Sequence, residues 1–168
     1  KTYAMAGWRV GMVVGNERMC AALARVKSYL DYGAYTPIQV AAAAALNGPQ
    51  DCVAEIRAIY KSRRDTLVRA MKQAGWDIPA PPASMFAWAP LPEQYKEAGS
   101  MLFSKLLVEE AGVAVAPGVA FGEYGEGYVR IGLVEIERLS RRAARNVRKF
   151  LSNSEEILAR AHNTMAAQ

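Results

Sequence analysis

Cysteine and histidine are almost missing from this chain. Cys20 and Cys52 are the only cysteines, they lack CxxC spacing, and His162 is the single histidine. Such a set cannot supply the four clustered ligands of an ordinary structural zinc site, and so few thiols lean toward a reducing compartment, the cytoplasm. Long apolar runs are missing too. The longest, Ile38 to Leu46, is mostly alanine and falls far short of the roughly 20 residues that cross a bilayer, so no membrane partner is expected. There is no GxGxxG arrangement to cradle a dinucleotide, no internal repeat and no low-complexity block. The chain opens on Lys1 rather than Met, which points to a preceding segment, so the lack of a visible leader decides nothing.

What is present is an ordinary globular composition. The 168 residues leave room for one compact core, or for a small domain plus a piece of another. Lys and Arg number 21 against 16 Asp and Glu, a net charge of +5. A basic balance raises nucleic-acid binding as a function class, so the distribution has to decide. Arg138, Arg141, Arg142, Arg145, Arg148 and Lys149 gather near the end, but Leu139, Ala143, Val147 and Leu151 interleave with them at helical spacing. The run therefore reads as the solvated face of a helix, and a nucleic-acid partner is not expected.

Periodicity and punctuation predict the elements. Arg9–Gly15 is a short apolar run between glycines, which suggests a buried strand. Asn16 is a natural N-cap for a helix whose stripe is Met19, Leu23, Val26 and Leu30, with Gly33 just past its end. Thr36-Pro37-Ile38-Gln39 reads as a capping box for a second helix, broken at Asn47-Gly48-Pro49. A long helix comes next, over roughly Asp51–Ala74, stopped by Gly75. Strands are predicted at Ser84–Ala89, Val113–Ala116 and Tyr128–Val134. One helix is predicted after Ser100 as its cap, with Gly112 past its end, and another from about Glu137 to Leu151. Met85, Phe86 and Trp88 read as core residues, Pro117-Gly118 as a turn between strands, and the stretch after Ser152 as a weak helix or frayed tail. Two or three strands backed by two helices make a small α+β sandwich.

The first eleven residues, Lys1-Thr2-Tyr3-Ala4-Met5-Ala6-Gly7-Trp8-Arg9-Val10-Gly11, carry the chemistry. By itself a lysine is a solvated charge and an arginine a surface cation. This segment, however, resembles the cofactor-lysine motif of class I/II aminotransferases, enzymes of fold type I that use pyridoxal 5'-phosphate. The resemblance implies that Lys1 forms the imine with the cofactor aldehyde and that Arg9 grips the cofactor phosphate. Gly7 and Gly11 would allow close backbone approach there. Lysine suits the first task because a tuned amine can be both nucleophile and proton carrier. Arginine suits the second because its planar donor fork matches a phosphate. Ala4 departs from the pattern, in which near relatives often have Asn.

The resemblance extends to about Leu151. Its most detailed part runs from Ala83-Ser84-Met85-Phe86-Ala87-Trp88 to Phe121-Gly122-Glu123-Tyr124-Gly125, which looks most like the alanine-forming glutamate–pyruvate branch, with LL-diaminopimelate aminotransferases nearby. Along Tyr128–Val134, Val129, Ile131 and Leu133 alternate toward one face, and Arg130 and Gly132 take the other. From pattern alone Arg130 is a cation on the wet face of a sheet. Arg130-Ile131-Gly132 also matches the family motif whose Arg clamps the substrate α-carboxylate. Thr36 already has an explanation as an N-cap. The family places this loop in the partner subunit's active site, so Tyr35 is a candidate to touch the cofactor phosphate or the substrate from there.

The expected fold is thus α/β, the C-terminal part of the fold type I transferase fold. Residues 1–60 would end the large cofactor-binding domain, 61–151 would form the small α+β domain and 152–168 a tail. The expected function is transamination between an L-amino acid and a 2-oxo acid, alanine and glutamate with pyruvate and 2-oxoglutarate for that branch, in a homodimer. By the family pattern, the residues that bind the cofactor ring precede Lys1, so these 168 residues alone are expected to be inactive. Other readings stay open at this point: a non-catalytic folded fragment, a cofactor-sensing regulator with a DNA-binding module before Lys1, and a basic binding module.

Overall fold

A computed structural model of the chain describes residues 1–166. The backbone divides into two compact units, Lys1–Ala58 and Ile59–Gln168.

The first unit is helical. After a 3₁₀ turn at Ala6–Trp8 come α1 (Glu17–Leu30), α2 (Thr36–Asn47) and the start of α3 (Asp51–Gln73). Asn16 caps α1 as its sequence suggests: the side-chain oxygen accepts the N–H groups of Arg18 and Met19, two of the donors every helix start leaves without partners. At the other end the Asp31 carboxylate takes bonds from Lys27 Nζ and the Gly33 N–H, each 2.8 Å.

Other expectations for this unit do not hold. Arg9–Gly15 is not a strand; among the described residues no strand pairs with it, and Val14 is 84% exposed. A strand needs a neighbour to take its backbone bonds, and apolar composition cannot supply one. The α1 stripe of Met19, Leu23, Val26 and Leu30 is exposed throughout. None of residues 1–58 is buried. The capping box is absent as well. Tyr35 occupies the N-cap of α2 without a side-chain bond, Thr36 lies within the helix, and Gln39 Nε2 donates to the Ala34 carbonyl at 2.5 Å. Pro37 does sit in the first turn, where its missing N–H costs nothing.

Among the described residues, every buried residue of the core lies in the second unit. Its sheet has the order β1 (Phe86–Pro90), β3 (Tyr128–Gly132), β2 (Ala116–Pro117), with both pairings antiparallel. Ala87 faces Ile131 and Ala89 faces Val129, and all four are buried. Small residues on β1 opposite branched ones on β3 give this face depth for the aromatic side chains behind it. Those are Trp76, Tyr95, Phe103 and Phe150, supplied by loops and by the helices α4 (Gly99–Ala111) and α5 (Glu137–Ser152). Tyr95 stacks on Phe150 at 4.8 Å between centroids, and Trp76 meets Phe103 edge-on at 5.5 Å. Such aromatic pairs contribute beyond their area, each about 0.5–1.5 kcal/mol.

The strand expected at Val113–Ala116 is only Ala116–Pro117, and the start of α4 also differs from the sequence reading. The residues after Ser152 form α6 (Ser154–Ala166), the helix of the two alternatives, weak helix or frayed tail, and its Ile157 is buried in the core. Ile157, with Leu158 and Ala161 packed beside it, gives the helix an apolar side that docks on the core, and most helical stability comes from such packing. Ser100 does not cap α4 from outside. It lies in the first turn, and the Glu126 carboxylate, 26 residues away, accepts the Ser100 N–H at 2.6 Å and the Ser100 Oγ–H at 3.0 Å.

Candidate active site

The segment Lys1–Arg9 is held as a compact turn by its own backbone. The Lys1 carbonyl accepts the Ala4 N–H, and the Met5 and Ala6 carbonyls accept the N–H groups of Trp8 and Arg9. Two residues in it, Ala4 and Arg9, sit in the left-handed region at φ 54°. For a residue with a Cβ that conformation costs roughly 1–2 kcal/mol, and strain of this kind collects where side-chain placement matters. It also gives a reason for Asn at position 4 in the resembling pattern, since Asn tolerates this region best after glycine.

The turn forms one wall of a cleft of about 540 Å³, and α2 supplies the other through Ala42, Ala45 and Leu46. Lys1 and Arg9 both line it. Among the described residues neither makes a salt bridge, and the Arg9 guanidinium has only a long bond, 3.4 Å, to the Ala6 carbonyl. A primary amine and an unpaired donor fork in one concave site suit an anion that also carries an electrophilic carbon. No carboxylate lines the cleft. Tyr35, 72% exposed at the start of α2, does not line it either. A Cβ added at Gly7 or Gly11 would meet nothing within 4 Å, so the close approach expected of these glycines has no counterpart among the described residues.

Arg130 lies in the second unit, on the sheet face opposite the core. It is half-buried at the centre of β3, with Trp88 beside it on β1 and Ala116 on β2. Its guanidinium carbon lies 4.3 Å from the Phe86 ring centroid and 4.4 Å from that of Phe121. Trp88 stacks on Tyr128 and meets Phe121 edge-on, both at 5.7 Å. Phe86 and Trp88 therefore belong to the Arg130 face and not to the core. The signal was in the alternation Phe86-Ala87-Trp88-Ala89, whose alanines are the buried members.

The loop before β3 is fixed by close backbone crossing and by Glu126. Gly118–Phe121 and Glu123–Gly125 are single 3₁₀ turns, where a plain turn between strands was expected. Glu126 also accepts the Gly127 N–H at 2.7 Å, and Ser100 Oγ accepts the Val119 N–H at 3.2 Å. The N–H groups of Gly127 and then Ser100 hold the Glu126 carboxyl below its ordinary range, with the Ser100 hydroxyl adding to them against the cost of burial. The basic residues of α5, Arg138, Arg141, Arg142, Arg145, Arg148 and Lys149, are all exposed, as a solvated face requires. No helix among the described residues is long and apolar enough to cross a membrane, and none of their His, Cys, Asp and Glu side chains cluster as metal ligands.

Comparison with known proteins matches residues 1–145 to the family model described as aminotransferase class I and II. A protein named AatC from Rhizobium meliloti (strain 1021) is 59% identical over 166 residues, which is 99% of this chain and 40% of that relative. The glutamate-pyruvate aminotransferase AlaC of Escherichia coli (strain K12) is 51% identical over 148 residues, covering 88% of this chain and 36% of the relative. The substrate-bound structure of BacF from Bacillus subtilis superposes with a TM-score of 0.83 at 33% identity, covering 89% of this chain and 38% of that one. The chain thus spans about two fifths of the length of the relatives it matches.

Proposed function

Since this chain belongs to the aminotransferase class I and II family, whose enzymes use pyridoxal 5'-phosphate, we propose that the whole protein moves an amino group between an L-amino acid and a 2-oxo acid, with Lys1, Arg9 and Arg130 as its working residues. The observation that most supports this is the pairing of Lys1 and Arg9 in one cleft without an acidic partner for either. When bound, pyridoxal phosphate supplies an electron sink for the bonds at the substrate α-carbon. Arg9 binds its phosphate through the guanidinium fork. Lys1 would hold it through the side-chain amine, and that same amine would carry the proton at the substrate Cα. Arg130 binds the substrate α-carboxylate, which a bidentate pair holds in one orientation and a point charge does not.

The Lys1 amine and the Arg9 fork suit the aldehyde and phosphate of the group, but no carboxylate lines the cleft for its ring nitrogen. Residues 1–58 also bury no side chain of their own. Both facts support the reading that residues 1–168 alone neither hold the cofactor tightly nor turn over. Alanine or glutamate with pyruvate or 2-oxoglutarate is the substrate set that the likeness to AlaC supports. A cytoplasmic homodimer, with Tyr35 presented to the partner subunit's cofactor phosphate, completes the proposal. Tyr35's 72% exposure and its place outside its own cleft suit that role.

The test is kinetic, in the whole protein. Lys1→Ala should abolish amino transfer from glutamate to pyruvate, and Arg9→Ala should weaken cofactor retention. Arg130→Ala should lower kcat/KM by roughly 2–4 kcal/mol in transition-state terms while leaving cofactor binding intact. Unchanged turnover in Lys1→Ala, or cofactor loss in Arg130→Ala, would overturn these assignments. For Tyr35, mixed dimers of Lys1→Ala and Tyr35→Ala subunits should regain activity, because one of their two sites carries neither lesion. No recovery, given a clear defect in Tyr35→Ala alone, returns Tyr35 to a local role.

A further inference from the structure

Arg130 is a half-buried cation whose guanidinium has no hydrogen-bonded or ion-paired partner among the described residues. What it has instead is one aromatic ring at 4.3 Å and another at 4.4 Å, both well inside the roughly 6 Å range of a cation–π contact. Resting on the reading of Arg130 as the carboxylate clamp, we propose that Phe86 and Phe121 are positioning residues, which hold the Arg130 guanidinium between their rings and leave its N–H fork free for the substrate carboxylate.

The reason for aromatic partners lies in what the alternatives would do. An Asp or Glu beside Arg130 would hold it equally well, but it would occupy the fork and cancel the charge that the substrate needs. An aliphatic side chain would leave the fork free yet offer no attraction to a partly desolvated cation. A ring face attracts the cation electrostatically and carries no acceptor that competes with a carboxylate. Holding a flexible arginine side chain in one place before substrate arrives also removes an ordering cost from binding.

Both rings are themselves held. Phe86 lies on β1, paired with Gly132, two residues along β3 from Arg130. A residue with no side chain at 132 leaves that part of the face open, and a Cβ there would meet only Val134. Phe121 ends the 3₁₀ turn Gly118–Phe121. Trp88 presses edge-on against it, and the loop behind it is pinned by the Val119 N–H bond to Ser100 Oγ. The two rings thus come from separate parts of the unit, a strand and a braced loop, and converge on one guanidinium.

The experiment is a double-mutant cycle in the whole, cofactor-loaded protein, with calorimetric binding of 2-oxoglutarate as one readout and KM and kcat as the others. Phe86→Leu and Phe121→Leu should each raise the Kd and KM roughly 3- to 10-fold, the loss of one cation–π contact, with kcat changed less. Phe86→Tyr, which keeps the ring, should restore binding. In an Arg130→Ala background, Phe86→Leu should have no further effect, because a residue acting through Arg130 cannot act once it is gone. Should Phe121→Leu fail to fold, Phe86→Leu carries the cycle alone. If Arg130→Ala weakens binding but the Phe variants do not, or if their effects add fully to that of Arg130→Ala, the positioning role is overturned and the clamp stands. If Arg130→Ala leaves the Kd unchanged, the clamp reading itself falls.

Discussion

Gly118 and Gly125 cross so closely that a Cβ on Gly118 would lie 1.9 Å from the Gly125 carbonyl oxygen, and one on Gly125 would lie 2.0 Å from that of Gly118. Both obstacles are backbone, so neither can swing aside. The crossing holds the turn that ends at Phe121 against the turn Glu123–Gly125 that precedes β3. Gly118→Ala and Gly125→Ala should therefore each destabilise the protein at or beyond the roughly 1–3 kcal/mol typical of overpacking. They should also weaken carboxylate binding through displacement of Phe121. A denaturant midpoint within error of the parent protein for either would show that the crossing opens without cost.

Tyr95 is fully buried between Phe103 and Phe150, and its hydroxyl has no hydrogen-bond partner among the described residues. Burial pushes its phenol well above the ordinary range, with the Glu110 charge adding to the effect. Leaving a buried hydroxyl unsatisfied costs about 1–3 kcal/mol, and the ring contacts survive its removal. Tyr95→Phe should raise the thermal midpoint. A clear fall would mean that the hydroxyl has a partner, such as a bound water.

Glu126 gives the small unit an acid-sensitive joint. Its folded pKa lies below the ordinary value of 4.5, because the Gly127 and Ser100 N–H groups favour the charged form. Its contribution to stability is therefore complete above about that value and is lost as pH falls through the lower folded value. Glu126→Gln should reduce stability at neutral pH and flatten the decline below pH 4.5, as read from denaturant midpoints across pH. Parallel curves for the two proteins would remove Glu126 as the cause.

How much of this was legible beforehand depended on whether an element's reason was local. Asn16, Pro37 and Gly112 act through bonds or dihedrals within a turn of themselves, so α1, α2 and α4 could be placed from the residues alone. The alternation Val129-Arg130-Ile131 gave both the core face and the isolated Arg130, because a strand's period of two needs no tertiary knowledge. Arg9–Gly15 failed because a strand depends on a neighbour that the run itself cannot reveal. The Glu126 bond to Ser100 and the approach of Phe86 and Phe121 to Arg130 join residues 26, 44 and 9 positions apart. No periodicity encodes such contacts. The roles of Lys1 and Arg9 came from resemblance, not from physics, since a lysine and an arginine eight residues apart are otherwise unremarked surface cations.

Ala4 offers a test of the strained turn that carries these two residues. Its φ of 54° costs an alanine about 1–2 kcal/mol. Ala4→Asn should recover part of that, and Ala4→Gly somewhat less, because glycine also frees the unfolded chain. Slower hydrogen exchange or proteolysis of the Lys1–Arg9 segment in Ala4→Asn would report the gain. Faster exchange would mean that the turn is not left-handed there.

Whether Lys1 holds the cofactor can be read directly. Borohydride reduction of the whole, cofactor-loaded protein fixes the cofactor to whichever lysine carries it, and peptide mapping then reads the position. The label is expected on Lys1, at the head of Lys1-Thr2-Tyr3-Ala4, with no labelled peptide in Lys1→Ala. A label on any other lysine would contradict it.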